Sequence, residues 1–168
     1  MEYRRLGKSG LRVSELSYGS WVTFSFQLDK VKAKKTMKHA YDAGINFFDN
    51  AEVYAAGESE KIMGDALKEL DLGRDTYIVS SKVFFGGQAV TQRGLNTKHI
   101  RDGCDAALKR LKLDYLDLFF CHRPDFHTPL EETVRAMDVL IKQGKILYWG
   151  TSEWPADRIR EAYLVAYK

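Results

Sequence analysis

The chain has 168 residues, 45% of them hydrophobic, a length that supports one hydrophobic core rather than two. Its 26 Lys and Arg residues are interspersed with 23 Asp and Glu residues, and the formal net charge of +3 predicts no nucleic-acid partner. Because no apolar run approaches the roughly 20 residues of a transmembrane span, and because no signal peptide follows Met1, we expect a cytoplasmic protein without membrane insertion.

The first predicted element is a β-hairpin. Two short strand-like arms, within residues 2–16, flank the turn signal Gly7-Lys8-Ser9-Gly10. We expect this hairpin to form a lid or a plug on the domain that follows it.

From Leu16 onward, short apolar runs alternate with longer segments of helical period. The predicted strand and helix pairs are residues 16–21 and 30–43, 45–50 and 59–70, 77–83 and 97–111, 115–122 and 129–143, and 146–154 and 155–167. Five such units in succession predict an α/β fold with parallel strands joined by right-handed crossovers.

Residues at the predicted helix ends support these boundaries. Ser and Thr favour N-caps, Pro favours the first helical turn, and Gly favours the position after a helix. In this chain those signals are Ser59, Thr97, Pro129, Pro155, Gly44 and Gly144.

Three chemically active side chains stand where predicted strands end. Asp49, Lys82 and His122 each close an apolar run, and the carboxyl ends of parallel strands meet at one edge of a sheet. We therefore expect the three to converge. A carboxylate can end a buried strand when a cation from the neighbouring strand pairs with it, and Lys82 is in the position to pair with Asp49.

Tyr54 follows Asp49 in the same loop and can reach over this edge. An ammonium beside a phenol favours the phenolate and makes the phenol a better proton donor. The pattern predicts Tyr54 as the donor, Lys82 and Asp49 as the groups that tune it, and His122 as a hydrogen-bond partner of the reacting oxygen.

Each of these residues also has a structural interpretation: a helix-capping Asp, a Lys that extends its stem along apolar surface, a satisfied His and a core-edge Tyr. Their joint occurrence at strand ends favours the functional interpretation. Cys121 lies beside His122, but adjacent strand residues face opposite sides, so it is predicted to pack. The remaining Cys and His residues lack metal-ligand spacing, and we predict no metal site.

Several ordered stretches closely resemble aldo-keto reductases, and are nearest to the subgroup that contains voltage-gated potassium-channel β subunits. They are FFDNAEVYAAGESE at 47–60, SSKVFFGG at 80–87, GLNTKHI at 94–100, RLKLDYLDLFFCHRPD at 110–125 and PLEETVRAMDVLIKQGKILYWGTSEW at 129–154. The likeness extends from Tyr3 to Lys168. It implies a TIM (β/α)8 barrel that uses NADPH to reduce aldehydes and ketones to alcohols.

The resemblance also implies the site residues. The catalytic tetrad maps onto Asp49, Tyr54, Lys82 and His122. Cofactor contacts map onto Gly19, Ser20, Trp21, Asp49, Tyr54 and Ser152, and Phe85 and Trp154 are candidate substrate contacts.

Two departures bear on function. Channel β subunits have asparagine where this chain has His122, which favours a working NADP-dependent reductase. Ser25 and Phe26 stand where the β subunits have two glycines, so the first loop at the site is expected to differ in shape. The alternative functions are a cytosolic potassium-channel β-like subunit that binds nucleotide, or an inactive truncated fragment.

A barrel of this kind typically needs about 250 residues, so residues 1–168 are predicted to be the N-terminal portion of a single barrel domain. About the first five βα units are expected, preceded by the hairpin. The chain is then either part of a longer enzyme or a short protein that pairs with another copy or with a separate chain. The predicted partners are a small carbonyl substrate and, as alternatives, a homo-oligomer or a channel.

Overall fold

The computed structural model describes residues 1–167. Strands β1 (Tyr3–Arg5) and β2 (Arg12–Ser14) form the predicted antiparallel hairpin. Its Ser14 backbone N–H donates to the Asn46 side chain (2.8 Å), and the Tyr3 hydroxyl donates to the Gly44 carbonyl (2.8 Å). Both acceptors precede a sheet strand, so the hairpin is a plug at the amino end of the sheet and not a lid at the carboxyl end.

The remaining strands form one parallel sheet in chain order. They are β3 (Tyr18–Gly19), β4 (Phe47–Asp49), β5 (Ile78–Val83), β6 (Leu116–Cys121) and β7 (Ile146–Thr151). Asp49 pairs with Ser80, and Lys82 pairs with Phe120, so the ends of the central strands lie close together. Within the described residues the sheet does not close, and it corresponds to part of a TIM-type barrel.

Five helices alternate with these strands, as predicted. They are α1 (Lys30–Asp42), α2 (Glu58–Leu70), α3 (Thr97–Leu111), α4 (Leu130–Lys142) and α5 (Ala156–Ala166). Consecutive helices pack side by side. Their buried faces share one hydrophobic core with the strands, in which Met37, Met63, Phe48 and Phe119 are fully buried.

Two predicted N-caps were wrong. The N-cap of α3 is Asn96, whose side-chain oxygen accepts from the His99 backbone N–H (3.0 Å), and Thr97 is the first helical residue. The N-cap of α2 is Gly57 in a left-handed conformation, and Ser59 is buried within the first turn. In both cases the helical backbone begins earlier in the chain than the predicted capping residue.

The other helix-end signals lie close to their predicted places. Pro129 and Pro155 are the N-caps of α4 and α5, one residue before the first turn. Gly44 (φ 93°) and Gly144 (φ 70°) follow α1 and α4 in the left-handed region that glycine adopts without strain. These glycines therefore end the two helices as predicted.

Helices α2 and α3 approach each other closely at Gly64. A Cβ atom on Gly64 would lie 2.6 Å from the backbone carbon and oxygen of Leu111 and 2.7 Å from the Arg110 carbonyl oxygen. Backbone atoms cannot move aside as the end of a flexible side chain can, so the distance between the helices depends on this glycine.

We predict that Gly64→Ala lowers the free energy of unfolding by about 1–2 kcal/mol, because overpacking against rigid backbone costs about 2–3 kcal/mol, the upper part of the usual range. This outweighs the roughly 1 kcal/mol by which alanine favours an ordinary helix interior over glycine. Urea unfolding measures the change. The control is Gly10→Ala, whose Cβ would have no atom within 4 Å and which we expect to change stability by less than about 0.5 kcal/mol. A stabilised Gly64→Ala variant would contradict the close approach.

Candidate active site

The parallel sheet brings Asp49, Lys82 and His122 to one edge. Asp49 ends β4, Lys82 lies near the end of β5, and His122 directly follows β6. The Lys82 ammonium donates to the Asp49 carboxylate at 2.7 Å. It donates further to the Asn50 carbonyl (2.8 Å) and to the Tyr54 hydroxyl (3.1 Å). An ammonium has three N–H donors, so these three contacts satisfy it.

Asp49 is fixed by more than the lysine. Its second carboxylate oxygen accepts from the Ser80 hydroxyl at 2.5 Å, and its backbone carbonyl accepts from the buried Ser20 hydroxyl at 2.9 Å. The side chain is half-buried, where a carboxylate needs such partners. Asp49 therefore holds the lysine from a position that both neighbouring strands determine.

Tyr54 reaches Lys82 from an unusual turn. Tyr54 begins a short 3-10 segment, and Ala55 (φ 50°) and Ala56 (φ 53°) that follow it are left-handed. The Tyr54 side chain is buried, and its ring stacks on Trp21 with 6.1 Å between ring centroids. The Lys82 ammonium lies 4.8 Å from the centre of the Tyr54 ring. The turn thus aims the phenol at the lysine.

His122 is buried beside these groups. Its ring packs edge-on against Tyr54 and Phe85, at centroid distances of 5.9 and 5.6 Å. Burial, and then the cations of Lys82 and Arg123, lower the pKa of His122 to about 4. The imidazole is therefore neutral at neutral pH and carries one N–H that can donate a hydrogen bond.

A cavity of about 440 Å³ opens over this cluster. All four tetrad residues line it, together with three other predicted residues, Trp21, Phe85 and Ser152. The remaining lining residues are Val53, Arg123 and Glu153. A concave surface with a few convergent polar groups is a typical feature of small-molecule sites.

Three predicted residues lie outside the cavity lining. Gly19 pairs with Asp49 in the sheet, and Ser20 supports the Asp49 carbonyl from below. Trp154 is only 8% exposed and packs in the hydrophobic core. The structure thus brings Gly19 and Ser20 next to the site but gives Trp154 a place in the core.

Sequence analysis missed an ion pair at the rim of the cavity. The Arg123 guanidinium lies 2.9 Å from the Glu153 carboxylate and 5.9 Å from the centre of the Phe85 ring. Each residue directly follows a predicted site residue, His122 or Ser152, in a loop after a strand. That position was the available signal, since loops at the carboxyl ends of parallel strands carry site residues.

The cysteines fit a packing role. Cys121 is fully buried on the opposite side of β6 from the site, and burial raises the pKa of its thiol. Burial also raises the pKa of Cys104 to about 12. Among residues 1–167, no group of three or more His, Cys, Asp or Glu side chains is arranged to hold a metal ion. In the same part of the chain, none of the helices is long and apolar enough to cross a membrane.

Comparison with known proteins identifies relatives of this chain. The model of the aldo/keto reductase family matches residues 15–168. A protein of Oryza sativa subsp. japonica named "Probable voltage-gated potassium channel subunit beta" is 56% identical over 166 residues, which is 99% of this chain and 51% of the relative. An Arabidopsis thaliana protein of the same name is 55% identical over 163 residues, 97% of this chain and 50% of the relative.

The chain therefore spans about half the length of these relatives. The family match nevertheless covers most of the chain, including the strand ends that carry Asp49, Lys82 and His122. The predicted family and its channel-subunit-like subgroup are both confirmed by these similarities. On this evidence, the chain belongs to the aldo/keto reductase family.

Proposed function

We propose that this chain carries the reducing site of an NADPH-dependent oxidoreductase that converts aldehydes and ketones to alcohols. The observation that carries the proposal is the hydrogen-bonded series from Asp49 through Lys82 to the Tyr54 hydroxyl, which borders the cavity. When bound, a reduced nicotinamide supplies the hydride to the carbonyl carbon. The protein must then supply one proton to the carbonyl oxygen.

Tyr54 is the proposed proton donor. Its hydroxyl is 3.1 Å from the Lys82 ammonium, which stabilises the phenolate that remains after the proton has moved to the substrate oxygen. Asp49 holds the ammonium in place at 2.7 Å and balances its charge. Because these contacts exist before substrate binds, little reorganisation is needed as charge develops.

His122 is proposed to orient the carbonyl. As a neutral ring with a pKa of about 4, it donates a hydrogen bond without adding a second cation beside Lys82. Its edge-on contacts with Tyr54 and Phe85 fix the ring plane. A carbonyl oxygen that lies between the phenol and the imidazole would then accept from both.

The residues present fit the nicotinamide end of the cofactor. Trp21 is 67% exposed although it stacks on Tyr54, so aromatic surface is available at the cavity for a planar ring. Ser152, at the end of β7, offers a hydroxyl to the carboxamide group. Gly19 and Ser20 support the loop that carries Trp21. Both cations that line the cavity, Lys82 and Arg123, are already paired with carboxylates.

A second candidate function rests on the similarity to relatives named as channel subunits. In that alternative the chain belongs to a cytoplasmic protein that binds nucleotide and docks on a potassium channel. The neutral imidazole of His122, which lines the cavity beside Tyr54, supports the reductase instead.

Removal of the proposed proton donor tests the first function. We expect Tyr54→Phe to lower kcat for an aromatic aldehyde by about 10²–10⁴-fold, the usual contribution of a general acid, with KM changed far less. NADPH consumption measures turnover. The control is Tyr41→Phe, which removes a surface hydroxyl that donates to Thr76. Full activity in Tyr54→Phe, or no turnover in the unsubstituted chain, would contradict the proposal.

The neutral state of His122 has a measurable consequence for stability. The pKa is about 4 in the folded chain and about 6.5 when unfolded, so the unfolded state binds more protons between these values. Stability should therefore fall as pH decreases from about 6.5 to about 4. Urea unfolding at pH 7 and pH 5 should show a smaller decrease for His122→Asn, and NMR of the ring should show a neutral imidazole at pH 5. A ring that is protonated at pH 6 would contradict the neutral-donor role.

Channel docking is tested directly with purified components. If the second function holds, the chain should co-elute with the cytoplasmic part of a plant voltage-gated potassium channel in size-exclusion chromatography. Tyr54→Phe should co-elute equally well, because docking does not need proton donation. Separate elution at tens of micromolar of each component would count against a channel partner for these residues.

A further inference from the structure

The turn that carries Tyr54 is strained. Ala55 (φ 50°), Ala56 (φ 53°) and Gly57 (φ 87°) are left-handed in succession, and for an alanine this conformation costs roughly 1–2 kcal/mol. Strain of this kind persists only where the surrounding structure holds it. The contacts on both sides of the turn are therefore important for the position of the phenol.

Glu52 lies two residues before Tyr54 and is only 5% exposed. Its Oε1 accepts from the Phe84 backbone N–H at 2.6 Å, and its own backbone N–H donates to the Lys82 carbonyl at 3.2 Å. Its Oε2 faces the buried His99 Nε2 at 3.4 Å. The start of the turn is thus attached to the end of β5 and to α3.

Glu60 lies just after the turn, in the first turn of α2, and is fully buried. Its Oε2 accepts from the Arg110 guanidinium and its Oε1 from the Ser81 hydroxyl, both at 2.6 Å. Both cationic partners of the two glutamates belong to α3. His99 lies in its first turn and Arg110 in its last, about three helical turns apart.

Three glycines leave space for the side chains of the two pairs. A Cβ on Gly86 would lie 2.5 Å from His99 Nε2, and a Cβ on Gly103 would lie 3.2 Å from Glu52 Oε2. A Cβ on Gly57, within the turn itself, would lie 2.9 Å from the Arg110 side chain. Arg110 therefore covers the turn as well as binding Glu60.

The electrostatic surroundings of the two pairs differ. Burial lowers the pKa of His99, but the facing Glu52 and, more weakly, Asp102 on α3 outweigh it, so the net shift is upward and favours the cation. Burial raises the pKa of Glu60 by more than Arg110 and Ser81 lower it, and Glu52 adds to the rise, so the net shift is towards the neutral acid. The Glu60–Arg110 contact therefore rests on its geometry, with 2.6 Å between the two side chains. A buried carboxylate that loses its cation is costly, so neither pair is easily broken.

We propose that α3 positions Tyr54 by holding both ends of its strained turn through the buried Glu52–His99 and Glu60–Arg110 pairs. None of the four residues lines the cavity, so they act through Tyr54 and are positioning residues. The effect on turnover rests on the proposed reductase function. The effect on the turn itself does not.

The test compares Glu52→Gln and Arg110→Gln with a matched control, Asp65→Asn. Asp65 forms ion pairs with Lys112, the C-cap of α3, and with Lys30 of α1, and both lie at the surface and away from the turn. Hydrogen exchange is followed at the Ala56 amide, which donates to the Val53 carbonyl within the turn (3.0 Å), and at the amide of the buried residue Ala107 in α3.

We expect Ala56 to exchange at least tenfold faster in both Gln variants, with Ala107 changed less than twofold, and neither amide to change in Asp65→Asn. Unchanged exchange at Ala56, or equal acceleration at both amides, would overturn the proposal, because the second result is that of general destabilisation. If Arg110→Gln does not fold, Glu60→Gln, which weakens the same pair from the other side, is followed at the same two amides and decides the Glu60–Arg110 contact.

A kinetic measurement separates positioning from a purely structural role. In the positioning role, kcat for an aromatic aldehyde falls at least tenfold in both Gln variants with KM within about twofold, and Arg110→Lys recovers part of the loss. A loosened turn with unchanged kcat would overturn the positioning role. If the unsubstituted chain shows no turnover, the reductase proposal fails, while hydrogen exchange still decides whether α3 holds the turn.

Discussion

The ion pair between Lys82 and Asp49 is the contact on which the whole site depends. A half-buried ammonium needs a partner for each of its donors, and Lys82 finds them in Asp49, the Asn50 carbonyl and Tyr54. These acceptors belong to one strand end and the loop after it. The lysine therefore joins β4, β5 and the Tyr54 turn, and any reaction that uses Tyr54 takes place where this junction puts the phenol.

A second set of buried charges lies behind the first. Glu52 and Glu60 flank the strained turn, and each meets a basic side chain from α3. The turn is thus held from the cavity side by Lys82 and from the core side by α3. Because the proton donor is oriented when the chain folds, orienting it adds little to the free-energy barrier of the reaction. Rigid scaffolds support chemistry on loops in this way. The burial that makes these contacts possible also keeps His122 neutral.

Much of this arrangement follows from local sequence signals. The order of strands and helices could be read from hydrophobic period, and the convergence of Asp49, Lys82 and His122 from the parallel order of their strands. Local signals failed where backbone geometry decides. Asn96 and Gly57 cap helices that Thr97 and Ser59 were predicted to cap, because the chain turns before those residues. Trp154 closes the predicted strand 146–154, and it packs in the core instead of facing the site.

The sequence by itself determined the α/β class, the parallel strand order and the side chains gathered at one edge, since these depend on periodicity and on the fixed direction of parallel strands. Only the tertiary structure decided which partners those side chains meet. The Arg123–Glu153 pair and the contacts of Glu52 and Glu60 with α3 join residues that are distant in sequence. The turn at Ala55 and Ala56 holds its residues in a rare left-handed conformation. Such contacts depend on how closely the helices pack on the sheet, and no local sequence pattern encodes the spacing between a helix and the sheet.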